Sequence, residues 1–200
     1  MTTTQPPKQT EIIVTGFGGQ GIILAGRILG MAASLGDHKE STLVQAYGPE
    51  SRGGACNAQV IISDTPIHYP YVNQPHILVA MSQTGYEKFA PALESSAMLL
   101  VDQDLVNPEN AACDHYAIPA TRMAEKLGNK MMANIIMIGF CTAVTGAVTS
   151  EAAQDTVRKS VPKGTEDRNI EAFTKGYDYG LSTLKGRKKR AAGQTGALAS

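Results

Sequence analysis

Glu11-Ile12-Ile13-Val14-Thr15-Gly16-Phe17-Gly18-Gly19-Gln20-Gly21-Ile22-Ile23-Leu24-Ala25 sets an apolar β-branched run, a glycine-rich hexapeptide and a second apolar run in direct succession. The first run suits a strand, and the second begins a helix. Four of the six residues between them are glycine. Side chains there would hold a ligand off, whereas bare backbone lets an anionic group come close. The open N–H groups at the helix start favour negative charge.

Working outward, Ile22, Leu24, Ile28, Leu29, Ala32 and Leu35 recur mostly at three and four, which predicts a helix over 22–35 stopped at Gly36. Residues 40–46 and 57–63 read as strands. Ile77 to Met81 and Ala97 to Asp102 are short continuous apolar runs, of the kind buried on both faces of a parallel sheet. A helix over 84–94 lies between them. A further strand is predicted over 115–118, and helices over 120–127, 130–144, 150–161 and 166–184. This alternation predicts an α/β fold, a Rossmann-like three-layer sandwich with a mostly parallel sheet, which binds ligands at the carboxyl ends of its strands.

Two hundred residues suffice for one such domain. The reading sets it at residues 11–184, after a flexible polar arm over 1–10 that lacks an apolar signal region. The run Lys185-Gly186-Arg187-Lys188-Lys189-Arg190 supplies five of the 18 basic residues, and the other 13 face 18 acidic ones. The body therefore has no excess of positive charge with which to bind nucleic acid. Residues 185–200 are expected to form a basic tail without ordered structure. Cys56, Cys113 and Cys141 are scattered and odd in number. They argue against a disulfide framework and for a reducing, cytoplasmic setting. No Cys-x-x-Cys pair is present to hold zinc or an iron–sulfur cluster. The uncharged stretch from Met131 to Val148 is interrupted by Asn134, Thr142, Thr145 and Gly146. It reads as a buried or interface helix rather than a membrane span.

Gly16, Gly18 and Gly21 satisfy the G-x-G-x-x-G pattern of dinucleotide sites. That pattern calls for an acid ending the second strand, where it binds the ribose hydroxyls. Asp37 and Glu40 have about the right spacing but precede that strand, which ends in Gln45-Ala46-Tyr47 without a carboxylate. Binding of a phosphate or pyrophosphate thus fits better than binding of NAD or FAD. A tight turn that holds no ligand stays open as an alternative.

A second motif, Tyr47-Gly48-Pro49-Glu50-Ser51-Arg52-Gly53-Gly54, combines with Gly-Phe-Gly-Gly-Gln-Gly-Ile to give a specific resemblance. The pair resembles the gamma subunit of 2-oxoacid:ferredoxin oxidoreductases, the enzymes for pyruvate, 2-oxoglutarate, branched-chain 2-oxoacids and indolepyruvate. Gly128-Asn129, Asn134, Gly139 and the pattern Asn169, Ala172, Phe173, Gly176 extend it over residues 11–184. The 2-oxoglutarate branch is the most similar.

The resemblance implies a multisubunit, coenzyme A-dependent oxidative decarboxylation that yields an acyl-CoA (succinyl-CoA from 2-oxoglutarate), carbon dioxide and reduced ferredoxin. It implies that thiamine diphosphate, Mg2+ and the iron–sulfur clusters belong to partner subunits, since this chain lacks both the Gly-Asp-Gly…Asn motif and clustered cysteines. The partners so implied are alpha and beta subunits, a ferredoxin-like delta subunit as a further candidate, and ferredoxin as acceptor. Coenzyme A is placed near this chain, its phosphates against Gly16, Gly18, Gly19, Gln20 and Gly21. Arg52 and Gly53 are further candidates, with Arg52 either on a phosphate or on a neighbouring subunit. No catalytic residue and no metal ligand is assigned.

Two rivals stay open: a non-catalytic assembly subunit, and a freestanding NAD-binding domain. Asn134, in an apolar helix, needs a partner, and a backbone group near the glycine loop is the expected one. His68 and His76 have no partner that forms a dyad and are assigned no catalytic role, Ser82 in Met-Ser-Gln-Thr is no nucleophile elbow, and Cys56 is expected to pack rather than react.

Overall fold

The structure is a computed structural model that describes residues 9–46, 55–109 and 111–197. One six-stranded sheet runs through the chain in the order β2-β3-β1-β4-β5-β6. Strand β1 (Gln9–Phe17) lies inside it, taking in two residues of the expected arm. It pairs antiparallel with β3 (Ala55–Ser63) and parallel with β4 (Ile77–Ala80). Strand β2 (Glu40–Ala46) is antiparallel to β3, whereas β5 (Met98–Asp102) and β6 (Asp114–Ile118) extend the parallel side. Three of the five pairings are parallel, in line with the predicted fold.

The two-residue period of the strands sorts their apolar side chains onto two faces. Ile12, Val14, Ile77, Val79 and Leu100 join a large core with α1 (Ile22–Met31), α3 (Ala120–Lys126), α4 (Ala133–Thr145), α5 (Ser150–Ser160) and α6 (Glu166–Ala197). Ile13, Leu78, Ala80, Leu99 and Val101 face the other way. There they meet Tyr86 of the short helix α2 (Gln83–Phe89) and Leu93 beyond it.

Helix α4 is enclosed from Ala133 to Thr142, and α6 crosses it at very short range. A Cβ on Gly139 would run into the Phe173 carbonyl, and one on Gly176 into the Ile136 carbonyl. Ala172 and Phe173, between these contacts, are fully buried. Asn169 closes the start of α6 by donating from Nδ2 to the Thr165 carbonyl at 2.9 Å.

Two elements differ from expectation. Helix α1 ends in a π-turn over Ala32–Gly36 rather than running regularly to Leu35. Gly36 lies against Ala152 of α5, and the Asp37 N–H reaches back five residues to the Ala32 carbonyl at 3.0 Å. Helix α6 continues to Ala197, through residues read as an unstructured tail. The reason is local: the Arg187 guanidinium lies 4.0 Å from the centre of the Tyr116 ring. It also donates to the His115 carbonyl and pairs with Asp114 at 3.4 Å, which fastens the extension to β6.

Candidate functional site

The glycine loop leaves β1 where the sheet changes direction. From β1 the chain goes through α1 to strands on one side, while β4 on the other side feeds α2 on the opposite face. A crevice opens beyond the carboxyl ends of strands at such a switch point, and α/β proteins bind ligands there.

Each loop residue has a definite place. Gly16 still belongs to β1, and Gln20 and Ile22 leave no space for a side chain on it. Gly19 (φ 93°) and Gly21 (φ 72°) adopt left-handed backbone, which favours glycine. Gly18 differs. Its φ lies outside the positive range, and a Cβ there would meet nothing within 4 Å. Neither backbone conformation nor packing within the described residues calls for glycine at this position. Gly21 is the N-cap of α1 without a side-chain cap, and the first turn has no acidic residue. The first N–H groups of a helix have no acceptor within it, so this end suits an anion.

Gln20 is used differently from expectation. Its Oε1 accepts from the Phe17 N–H at 2.6 Å, and its Nε2 donates to the Met81 carbonyl at 3.0 Å. Its backbone N–H donates to the Phe17 carbonyl at 3.2 Å. The residue read as a phosphate contact thus spends its amide inside the protein. Asn134 meets its expectation: it is 2% exposed and donates from Nδ2 to the Gly21 carbonyl at 3.1 Å. Tyr47, Arg52, Gly53 and the rest of the second glycine motif lie outside the described residues.

The remaining candidates are structural. The Asp37 carboxylate accepts from Thr149 at the start of α5 rather than facing the loop. Ser82 caps α2 by accepting from the Gly85 N–H at 3.1 Å. His76 accepts at Nδ1 from the Glu11 N–H at 3.0 Å. Cys56 is buried, and burial pushes its thiol pKa up, which keeps it neutral.

The sequence reading missed Asp102, fully buried at the end of β5. It accepts from the Thr121 N–H at 2.9 Å, from the Thr121 hydroxyl at 2.6 Å and from the Asp104 N–H at 3.1 Å. A carboxylate closing an apolar run was the available signal. It also missed Glu11, whose carboxylate accepts from the N–H groups of Asn73 and Gln74.

A cavity of about 730 Å³ lies past β4 and β5, lined by Gln83, Tyr86, Glu87, Asp104, Asn107 and Glu109 among others. Its three carboxylates make it a poor place for phosphate. Among the described residues no group of His, Cys, Asp and Glu could hold a metal ion, and no helix is long and apolar enough to cross a membrane.

Residues 11–179 match the family of pyruvate ferredoxin/flavodoxin oxidoreductases. The 2-oxoglutarate synthase subunit KorC of Methanocaldococcus jannaschii is 48% identical over 172 residues, covering 84% of this chain and 92% of the relative. The gamma subunit of a keto/oxoacid ferredoxin oxidoreductase from Geobacter sulfurreducens has the same fold, with a TM-score of 0.80 at 37% identity. That match covers 88% of this chain and 98% of the other. The fold recurs in a 2-oxoglutarate:ferredoxin oxidoreductase from Magnetococcus marinus, solved with 2-oxoglutarate, coenzyme A and succinyl-CoA bound. There the TM-score is 0.79 at 19% identity, covering 88% of this chain and 32% of that one. The chain belongs to the pyruvate ferredoxin/flavodoxin oxidoreductase family. Its KorC and gamma-subunit relatives of matching length are separate subunits.

Proposed function

We propose that this chain is the gamma subunit of a multisubunit 2-oxoacid:ferredoxin oxidoreductase acting on 2-oxoglutarate. The reaction converts 2-oxoglutarate, coenzyme A and two oxidised ferredoxins to succinyl-CoA, carbon dioxide, a proton and two reduced ferredoxins. Thiamine diphosphate with Mg2+ supplies the decarboxylation chemistry when bound, and iron–sulfur clusters carry the electrons. Both belong to alpha and beta subunits, with a ferredoxin-like delta chain as a further partner, and the complex works in the cytoplasm. The three cysteines are buried and free, which suits a reducing compartment.

This chain's part is one wall of the coenzyme A site. Gly18, Gly19 and the start of α1 receive the phosphates, and Arg52 and Gly53, which lie outside the described residues, are assigned to the phosphates or to a neighbouring subunit. The observation that carries this reading is Gly18, which is exposed and bare without any need inside the described chain. A group arriving from outside is then what requires its smallness. A pyrophosphate matches the positive end of α1. Phe17, 38% exposed beside Gly18, favours the second reading, a loop that serves only to seat a partner subunit.

The test uses the complex assembled with its partner subunits. Gly18→Val should raise KM for coenzyme A at least about tenfold, the effect of losing one charge-assisted hydrogen bond, and leave KM for 2-oxoglutarate unchanged. Unchanged values for both in an intact complex favour assembly alone. Oxidation of 2-oxoacid by the isolated chain would sink the subunit assignment, and tight NAD binding would revive a dinucleotide site.

A further inference from the structure

The ladder between β1 and β4 ends at Thr15 and Ala80, and the Met81 N–H adds one more bond to the Thr15 carbonyl at 2.8 Å. Past that point the two strands part. The Gln20 side chain bridges them, accepting from Phe17 N–H on one side and donating to Met81 C=O on the other. A side-chain amide has the donor and acceptor of a peptide unit. Gln20 therefore prolongs the ladder by one rung where the two strands part. On the far side of the loop, the Gly21 carbonyl takes a second hydrogen bond from Asn134 Nδ2, besides the one from Ala25 N–H at 2.9 Å. Asn134 is itself fixed, because its Oδ1 accepts from the Ile135 N–H at 2.8 Å.

We infer that Gln20 and Asn134 are positioning residues that clamp the glycine loop from both ends and so set its affinity for the phosphates of coenzyme A. The inference rests on the reading above. With Phe17 and Met81 tied by Gln20 and the Gly21 carbonyl held inward by Asn134, Gly18 and Gly19 form the exposed crest between two fixed points. The loop keeps its shape through these side chains together with the one turn bond from the Gln20 N–H to the Phe17 carbonyl at 3.2 Å.

The experiment compares Gln20→Met and Asn134→Ala in the assembled complex. Two quantities are read: hydrogen exchange of the amides of residues 17, 20 and 25, which carry the hydrogen bonds of the loop, and KM for coenzyme A against kcat and KM for 2-oxoglutarate. Each variant should exchange these amides about tenfold faster and raise KM for coenzyme A about tenfold, with kcat within about twofold. Gln20→Glu keeps an acceptor for the Phe17 N–H but sets a carboxylate against the Met81 carbonyl and beside the phosphate seat, so its KM for coenzyme A should rise at least as far as in Gln20→Met. Unchanged exchange of the residue 17 and 20 amides in Gln20→Met overturns the clamp. Faster exchange with KM for coenzyme A unmoved overturns the link between the clamp and coenzyme A, while Gly18→Val decides separately whether the reading beneath it stands. Gln20 is itself only half-buried, so its variants decide the matter even where the enclosed Asn134 variant fails to assemble.

Discussion

Thr149 donates both its backbone N–H, at 2.8 Å, and its hydroxyl to the carboxylate of Asp37. The acid nearest the ribose-binding spacing of a dinucleotide site is thereby committed to the start of α5. Thr149 also accepts from the Ala152 N–H at 3.3 Å, so one threonine caps the helix and is held in turn. Asp37→Ala should cost about 1–2 kcal/mol of stability, as for a lost helix cap. It should leave KM for coenzyme A and for 2-oxoglutarate unchanged. Urea denaturation and steady-state assays check this, and a raised KM at unaltered stability would assign Asp37 to the site instead.

The α4–α6 crossing is the most sensitive part of the core to added volume. Gly139→Ala and Gly176→Ala each drive a methyl group into a backbone carbonyl that cannot swing aside. Each should lose at least about 3 kcal/mol, the upper end of ordinary overpacking. Gly186→Ala is the control, since a Cβ there meets nothing. It should be neutral or stabilise by up to about 1 kcal/mol through helix propensity. Thermal melts of the three variants suffice, and equal melting temperatures would contradict the packing described.

Cys141 is enclosed in α4, and burial pushes its thiol pKa from 9.0 up to about 12, with the Thr145 hydroxyl pulling the other way. The folded protein therefore holds this proton more tightly than the unfolded chain. The resulting stability is fully present below pH 9 and is lost as pH rises toward 12. Parent protein should lose more stability across that window than Cys141→Ala, measured by denaturant titration at each end. Iodoacetamide at about pH 8 should leave Cys141 unmodified until the fold opens.

Arg187 holds the last turns of α6 by stacking on Tyr116 and pairing with Asp114. Arg187→Ala should speed amide exchange over residues 185–190. Its global cost should stay near or below about 1 kcal/mol, since stacking and ion pairs at half-exposed positions contribute little. A drop in melting temperature comparable to that of the Gly139 variant would mean that the extension is integral to the core.

The alternation of Ile12, Ile13 and Val14, and the apolar runs at 77–81 and 97–102, made the sheet legible, because burial on both faces leaves an uninterrupted apolar signature. The glycine loop was legible as a strand-to-helix turn with bare backbone, and Asn134 as a buried amide in need of a partner. The role of Gln20 was not, because its two acceptor and donor partners are backbone groups that any sequence would carry. The π-turn after α1 was hidden for a similar reason: it depends on Gly36 fitting against Ala152, more than a hundred positions away. Helical order beyond Leu184 escaped because Arg187 reads as one more cation until Tyr116 is placed beneath it.

The amide rung supplied by Gln20 also bears on how an anion is taken up. A loop already braced between two strands loses little conformational freedom when its guest arrives. Loading should therefore lack the large unfavourable entropy and the marked heat-capacity change of a segment that folds around its ligand. If the crest of Gly18 and Gly19 is the phosphate seat proposed above, coenzyme A should enter and leave it without waiting for the protein to rearrange.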